Sequence, residues 1–142
     1  CIPTYEMNGM GATYLEKSFG VLAKQTLDSF EVIVSDQSLN DDIIELCEVW
    51  QGRLNLRHYW NRDGERQASA NTNHALKMAR WAVHKVLFQD DFILSETALQ
   101  EIFEAFDGLE AMWLLTGSGN TRDGQTIERS MVPHLTPKLH FG

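Results

Sequence analysis

Cysteine, proline and positive charge are all scarce in this chain. Its 142 residues include 2 cysteines and 3 prolines, and 12 lysines and arginines stand against 20 aspartates and glutamates. Two cysteines cannot build a multi-disulfide scaffold, and Cys47 falls in an apolar helical pattern that predicts a buried thiol. The formal charge of −8 argues against nucleic acid as a partner and against binding to an anionic membrane surface.

Long apolar runs and a signal peptide are also missing. The longest apolar segments, such as Ala111–Leu115, are strand-sized and fall short of the ~20 residues that a spanning helix needs. These absences predict a cytoplasmic location without a transmembrane segment, and they leave open a membrane association of the full-length protein. Because the chain begins at Cys1 inside a predicted strand and ends at Gly142 after a loop-rich stretch, we expect a truncated domain.

What the chain does contain is an alternation of strand-like and helix-like segments. Apolar, often β-branched segments predict strands, and apolar residues at helical spacing predict helices between them. The predicted strands are Cys1–Pro3, Phe30–Val34, Leu54–Tyr59, Lys85–Phe88 and Ala111–Thr116. The predicted helices are Tyr14–Gln25, a helix capped by Asn40 or Asp41 that runs to about Trp50, Ala68–Val83, and a helix from Ser95 or Glu96 to Phe106. This order predicts an α/β fold with a mostly parallel sheet and helices on both faces.

Three polar clusters follow predicted strands and would meet at the carboxyl edge of the sheet, where such folds bind ligands. They are Thr4-Tyr5-Glu6, Asp36-Gln37-Ser38 and Gln89-Asp90-Asp91. Two carboxylates beside a buried strand are costly unless a cation binds them. A divalent metal that carries a phosphorylated ligand meets that need, and Asp91 is the first choice as its ligand. A solvated turn that caps the next helix is the alternative.

Two further residues of these clusters have alternative interpretations. Asp36 could accept a hydrogen bond from a nucleobase or ribose, or it could form an Asx turn. Tyr5 could stack on a base or pack over the end of a strand. A dinucleotide-binding site is excluded, because the first turn offers only Gly9-x-Gly11 in place of Gly-x-Gly-x-x-Gly.

In this order the segments resemble the opening of a family 2, GT-A-type glycosyltransferase. The resemblance rests on Ile2-Pro3-Thr4-Tyr5, a helix ending in Leu22-Ala23-Lys24-Gln25-Thr26, the strand Phe30–Asp36, the segment Ser69–Asn73, and Phe88-Gln89-Asp90-Asp91 in place of an Asp-x-Asp motif. It implies a single, partial GT-A domain over residues 1–142, with a nucleotide-sugar-binding core at 1–107 and the start of an acceptor-side region at 108–142.

The resemblance also implies a donor site. Asp36 would bond the base, typically uracil, and Asp91 would coordinate Mn²⁺ or Mg²⁺ on the donor diphosphate. Asn73, with Asn71 as second choice, would support the same edge. Gln89 replaces the first aspartate of the family's metal motif, and Gln37 replaces an aspartate after the second strand. The implied nucleotide-binding residues are Pro3, Thr4, Tyr5, Glu6, Asp36, Asn73 and Asp90.

The implied reaction is the transfer of a sugar from a nucleotide-diphosphate donor, expected to be a UDP-sugar, to a sugar or glycan acceptor with inversion. The general base is expected beyond Gly142, because neither Asp123 nor Glu128 has a supporting context. The alternative is a nucleotide-binding module without catalysis. A receiver-like regulatory domain is a third reading, which leaves the Pro3-Thr4-Tyr5 opening unexplained.

Overall fold

Three short parallel strands lie at the centre of the first of two compact units. The structure, a computed structural model, describes residues 1–63, 65–107, 113–123 and 126–131. The first unit is Cys1–Ala105, and the second begins at Phe106. The sheet order is β1-β2-β3. The strands are β1 (Ile2–Thr4), β2 (Val32–Asp36) and β3 (Leu56–Trp60), and the helices are α1 (Gly11–Leu22), α2 (Asp42–Trp50), α3 (Ala68–Met78) and α4 (Ala98–Asp107).

The register brings the carboxyl ends of the three strands to the same level. Thr4 pairs with Asp36, and Asp36 pairs with Trp60 on its other side. All five residues of β2 are buried, as expected for a central parallel strand that is covered on both faces. The polar residues that follow these strands therefore lie at one edge of the sheet.

Helices α1 and α2 cover one face of the sheet. Leu15 and Phe19 of α1 and Ile43 and Cys47 of α2 pack in one core with Val34, and all five side chains are completely buried. Full burial of an aliphatic or aromatic side chain contributes about 1.5–3 kcal/mol, so this face is a main source of the stability of the unit.

Helix α3 covers the opposite face. Successive strand residues point to opposite sides, so Ser35 faces away from the core that holds Val34. The Ser35 hydroxyl donates to Asn71 Oδ1 at 2.6 Å, and Ala75, one turn further along α3, is completely buried. The predicted α/β fold, with a parallel sheet and helices on both faces, is thus confirmed.

The segment predicted as the fourth strand, Lys85–Phe88, is not a strand. It makes two backbone hydrogen bonds with Cys1: the Cys1 amino group donates to Lys85 O at 2.8 Å, and Leu87 N–H donates to Cys1 O at 3.0 Å. The chain then turns at once, because Asp91 N–H bonds Phe88 O at 3.0 Å. The extended run is therefore too short to add a strand to the sheet.

Helix α3 ends at Met78, earlier than predicted. Ala79 is already extended, with φ −71° and ψ 147°. The Arg57 guanidinium donates to Met78 O at 3.3 Å, and Arg80 N–H donates to Glu31 Oε1 at 2.6 Å. These side-chain bonds satisfy backbone groups that a longer helix would have paired internally, so they favour the early end.

The second unit contains a short antiparallel hairpin in a region that was predicted to be irregular. Its strands are β4 (Ser118–Asn120) and β5 (Arg129–Met131). The strand predicted at Ala111–Thr116 is absent from its described part, Trp113–Thr116, and positions 111 and 112 lie outside the described residues. Within the described ranges, no helix combines the length and the apolar character that a membrane crossing requires.

Candidate functional site

A cavity of about 370 Å³ opens at the carboxyl ends of β1 and β2, beside the start of α3. We call it the carboxyl-end cavity. The structure brings members of all three predicted polar clusters to its wall. The wall is formed by Pro3, Tyr5, Met7, Gln37, Arg66, Ala68, Asn71, Phe88, Gln89 and Asp90.

A two-point hydrogen bond fixes the end of β1 against the acidic segment. Tyr5 N–H donates to Gln89 Oε1 at 3.0 Å, and Gln89 Nε2 donates to Tyr5 O at 2.9 Å. The Gln89 side chain is 2% exposed. A carboxylate at this position could accept the first bond but could not donate the second. Gln89, predicted as a neutral substitute in a metal motif, is therefore a structural clamp between two parts of the wall.

Position 11 must be glycine because the Gln89–Tyr5 clamp lies directly against its backbone. A Cβ atom built on Gly11 would lie 2.3 Å from Tyr5 O and 2.6 Å from Gln89 Nε2. Both distances are far inside van der Waals contact, and the first involves backbone that cannot rotate away. This packing role of Gly11 could not be predicted from the sequence, in which Gly11 stands out only as part of an incomplete dinucleotide-binding motif.

The chain between β1 and α1 makes a tight, strained turn beside the cavity. Met7, Asn8 and Gly9 have φ values of 44°, 55° and 87°. Inside the turn, Glu6 O accepts hydrogen bonds from Gly9 N–H at 2.8 Å and Gly11 N–H at 3.0 Å. Positive φ is unfavourable for a residue with a side chain such as Met7, which lines the cavity, and such strain concentrates at functional sites.

Asn71, rather than Asn73, ties the strands to α3. Asn71 is 3% exposed, and its Nδ2 donates to Thr4 O at 3.0 Å and to Ser35 O at 3.1 Å. Its Oδ1 accepts from Ser35 Oγ and from Asn61 Nδ2. Asn73 is exposed on α3 and is not on the cavity wall. The preference for Asn73 is therefore corrected, because the helical period turns its side chain away from the strands.

Asp36 and Gln37 occupy different positions at the end of β2. Asp36 is completely buried, and its carboxylate accepts from Ser38 N–H at 2.8 Å and lies 3.0 Å from His58 Nε2. Gln37 lies on the cavity wall, and its Nε2 donates to Glu65 O at 2.7 Å. Asp36 therefore holds the loop in place as an Asx-type turn residue, while Gln37, although only 6% exposed, is the member of the pair that lines the cavity.

Arg62 holds the same loop from outside. Its guanidinium carbon lies 3.4 Å from the centre of the Trp60 ring, and its nitrogens donate to Ser38 O at 3.0 Å and Asn40 O at 3.1 Å. An arginine can stack and donate at once because its planar group carries five N–H donors. Arg62 thus anchors the loop that carries Gln37.

Asp90 and Asp91 take different places at this edge. Both residues are exposed, but Asp90 lines the cavity and Asp91 does not, and the Asp91 carbonyl accepts from Ser18 Oγ at 2.6 Å. The pKa of the Asp91 carboxyl is raised by its partial desolvation and by the adjacent Asp90 carboxylate, while Lys85 acts in the opposite direction. A bound cation would relieve the repulsion between the two carboxylates.

The donor set at this edge suits a cation that arrives with a phosphorylated ligand. Asp90 and Asp91 offer hard oxygen ligands, whereas the Gln89 amide is taken up by Tyr5. In the part of the chain that the structure describes, no group of three or more His, Cys, Asp or Glu side chains could hold a metal alone. One or two carboxylates completed by phosphate oxygens and water match the ordinary Mg²⁺ site, and Mn²⁺ prefers the same ligands.

Arg66 is the basic residue of the cavity wall among the described residues. Its Nη2 lies 3.2 Å from Glu6 Oε1. The first residue of α3, Ala68, also lines the cavity, so the positive end of that helix faces the same space. Arg66 is not among the residues predicted from the sequence, since it belongs to none of the three polar clusters.

The other predicted nucleotide-binding residues divide between the wall and its support. Pro3, Tyr5 and Asp90 lie on the wall. Thr4 is completely buried within β1, and Glu6 adjoins the cavity through its ion pair with Arg66. Thr4 therefore supports the wall from behind, where its carbonyl accepts hydrogen bonds from Asn71 Nδ2 and Gln37 N–H.

Asp123 and Glu128, the two carboxylates considered as general bases, are engaged locally. Asp123 accepts from Thr126 N–H at 2.7 Å and from the Thr126 hydroxyl at 2.8 Å. Glu128 lies 3.2 Å from Arg122 Nε. These bonds hold the ends of the β4–β5 hairpin, so the geometry recommends neither residue as a general base.

Known proteins resemble both the sequence and the fold. Validoxylamine A glucosyltransferase of Streptomyces hygroscopicus subsp. jinggangensis is 36% identical over 77 residues, which are 52% of this chain and 17% of that protein. The crystal structure of S. aureus TarS 1-349 has a TM-score of 0.66 and 26% identity, and the match covers 75% of this chain and 31% of that one. The crystal structure of S. aureus TarS 1-349 in complex with UDP has a TM-score of 0.61 and 25% identity, and the match covers 75% of this chain and 30% of that one.

The chain spans under a third of the length of each of these proteins. The sequence pattern described as glycosyl transferase family 2 matches residues 1–137, which is nearly the whole chain. The matched range includes every residue of the carboxyl-end cavity. Sequence pattern, fold and the position of the cavity at the carboxyl edge of the sheet agree, and the chain belongs to glycosyl transferase family 2.

Proposed function

We propose that the carboxyl-end cavity binds the nucleoside diphosphate part of a sugar donor and that the whole protein is a glycosyltransferase. One observation carries the proposal: an aromatic ring (Tyr5), an oriented amide (Gln37) and a carboxylate (Asp90) share the wall of one cavity at the carboxyl edge of the sheet. The UDP complex of TarS, a structural relative, supports a uridine nucleotide as the ligand.

In this proposal the base lies against Tyr5 and Gln37. Tyr5 is 49% exposed, so its ring is accessible for stacking. Gln37 Nε2 is bonded to Glu65 O, which leaves Oε1 as the atom that accepts from a ligand N–H. The imide N–H of uracil is such a donor, whereas the equivalent ring nitrogen of cytosine is an acceptor. In this proposal Gln37, rather than Asp36, accepts the hydrogen bond from the nucleobase.

The diphosphate lies at the acidic end of the cavity. Asp91 and Asp90 would hold Mn²⁺ or Mg²⁺, which would stabilise the negative charge that develops on the leaving diphosphate. Ser18 fixes the Asp91 backbone, and the clamp between Gln89 and Tyr5 fixes the distance from this edge to the base. Direct displacement at the anomeric carbon with inversion, and a sugar or glycan as acceptor, belong to the same proposal.

The first experiment measures nucleotide binding by calorimetry and thermal shift, with UDP, CDP and GDP in the presence and absence of Mn²⁺. We expect UDP to bind best and Mn²⁺ to strengthen it. Asp91→Ala should remove the Mn²⁺-dependent part, a loss of about tenfold or more in affinity. The matched control is Asp28→Ala, an exposed acid that is not on the cavity wall.

Two outcomes would contradict the donor-site proposal. One is a folded wild-type protein, shown by circular dichroism, that binds none of the nucleotides. The other is an equal loss of Mn²⁺ dependence in Asp28→Ala and Asp91→Ala. Release of labelled sugar from UDP-sugars by the full-length protein then separates a transferase from a binding module, which would bind the donor without consuming it.

A further inference from the structure

The carboxyl-end cavity needs positive charge to bind a diphosphate, and the described wall offers one basic side chain. The chain carries a formal charge of −8, and Asp90 and Asp91 lie at the same edge. A nucleoside diphosphate is itself anionic, so the field of the protein opposes its entry. A cation bound to the two aspartates would offset part of this repulsion, and Arg66 on the cavity wall would offset a further part.

The backbone on both sides of Arg66 is held in place. The carbonyl of Glu65 accepts hydrogen bonds from Gln37 Nε2 at 2.7 Å and from Gln67 N–H at 2.8 Å. Helix α3 begins immediately afterwards, at Ala68. Arg66 therefore extends from an anchored segment, and its placement on the wall follows from the fold rather than from a free loop.

Glu6 forms an ion pair with Arg66, and an anionic ligand could take the place of the Glu6 carboxylate. A single contact of 3.2 Å joins Arg66 Nη2 to Glu6 Oε1, and the two side chains are 49% and 29% exposed. Glu6 Oε2 is buried and has no hydrogen-bond partner among the described residues. An ion pair this exposed contributes little stability, and most of the five N–H donors of Arg66 remain for another acceptor.

We propose that Arg66 binds the diphosphate of the donor and that Glu6 competes with the ligand for it. Without ligand, Glu6 holds the guanidinium over the cavity. When the diphosphate enters, its oxygens take the N–H donors, because a phosphate matches the planar guanidinium in a bidentate manner. The inference rests on the proposed function and adds to it a phosphate-binding residue and an internal competitor.

The test compares UDP with uridine, which lacks the phosphates, in four proteins: wild type, Arg66→Gln, Glu6→Gln and the double variant. Calorimetry measures UDP, and ligand-observed NMR measures the weaker uridine. We expect Arg66→Gln to weaken UDP about tenfold or more and to leave uridine unchanged. Glu6→Gln should strengthen UDP several-fold, again without an effect on uridine. In the double variant the Glu6 effect should disappear, because no arginine remains to compete for.

Arg53→Gln is the control for a general loss of positive charge, since Arg53 is exposed and lies away from the wall. An equal loss of UDP and uridine affinity in Arg66→Gln would overturn the phosphate-binding role. Weaker UDP binding in Glu6→Gln would overturn the competition. If wild type binds UDP and Arg66→Gln matches it, the inference fails while the proposed function stands. If folded wild type binds no nucleotide, both fail.

Discussion

The first unit has a cavity at each end of its sheet, and the two differ in chemistry. The larger one, about 530 Å³, lies at the amino ends of β1 and β2; we call it the amino-end cavity. Its wall is mainly apolar and includes Ile2, Val32, Leu87 and Ile93. The carboxyl-end cavity is smaller, about 370 Å³, and a larger share of its wall is polar, with Gln37, Arg66 and Asp90 among the lining residues. Size alone would select the amino-end cavity, whereas the side chains that could orient a charged ligand, such as Gln37, Arg66 and Asp90, line the carboxyl-end cavity.

The acidic residues at the two ends show the same contrast. Glu31 lines the amino-end cavity; its burial would raise the pKa, but hydrogen bonds from Arg80 N–H and Arg57 outweigh this and lower it. At the carboxyl end, burial and the neighbouring Asp90 raise the pKa of Asp91. Glu31 is thus neutralised inside the protein and serves the fold, whereas Asp91 still lacks a cationic partner sufficient to lower its pKa.

The largest expected effect tests whether the carboxyl end depends on its hydrogen bonds. Asn71→Ala leaves Thr4 O and Ser35 O without the amide that bonds them, and we expect a loss of about 3 kcal/mol in unfolding free energy. The exposed neighbour gives the control, because Asn73→Ala should change stability by no more than about 0.5 kcal/mol. Urea denaturation measures both. Equal losses would remove the distinction between the two asparagines.

A second test concerns the packing beneath the cavity. Gly11→Ala forces a Cβ atom to 2.3 Å from Tyr5 O, so we expect a cost of about 2 kcal/mol and weaker UDP binding. Gly20→Ala lies in the same helix with no atom within 4 Å of the added methyl, and it should stabilise the protein by about 0.5–1 kcal/mol. Thermal denaturation and UDP titration check both. A stabilised Gly11→Ala variant would show that the clamp is not tight.

The third test uses pH to separate the acids of the two ends. The pKa of Glu31 is lowered, so its contribution is present at neutral pH and lost as pH falls through the folded value; Glu31→Gln should cost about 1–2 kcal/mol at pH 7 and little in acid. The pKa of Asp91 is raised from 3.8, so Asp91→Asn should be more stable than wild type at neutral pH, an advantage that vanishes below that value.

Stability curves from pH 7 into acid measure both variants. Opposite signs at pH 7 are expected when Glu31 is paired inside the protein and Asp91 is repelled by Asp90. Destabilisation of both variants at neutral pH would mean that Asp91 is a structural residue like Glu31, and it would weaken the metal-binding proposal.

The smallest expected effect concerns the independence of the two ends. Cys1 is half-buried on the amino-end wall, while Cys47 is completely buried and its burial raises the thiol pKa to about 12. A maleimide should therefore modify Cys1 and spare Cys47 in the folded protein, as mass spectrometry would show. UDP affinity should not change. A clear loss of affinity after labelling of Cys1 alone would mean that the two cavities are coupled.

Local patterns predicted much of the fold. Phe30–Val34 and Leu54–Tyr59 overlap β2 and β3, and helical spacing located α1 and α2 to within a few residues. The prediction of a strand at Lys85–Phe88 was wrong. A strand needs a partner along its length, and here the chain turns directly after Phe88, where Asp91 N–H bonds Phe88 O. The predicted end of α3 was wrong because two residues distant in sequence bond backbone groups at its actual end. Arg57 donates to Met78 O, and Glu31 accepts from Arg80 N–H.

Residue types and their order were enough to predict an α/β unit, an acidic carboxyl edge and the family resemblance, because periodicity and short motifs are local properties of a chain. Which side chains line the carboxyl-end cavity depended on contacts between distant segments. Packing sets the register that aligns Thr4, Asp36 and Trp60, and it brings Gln89 against Tyr5. Packing also decides that Asn71 and Gln37 line the cavity, whereas Asn73 and Asp36 do not. One residue of shift along a strand, or of rotation along a helix, turns a side chain from the cavity to the core or to solvent, and only the tertiary structure decides that shift.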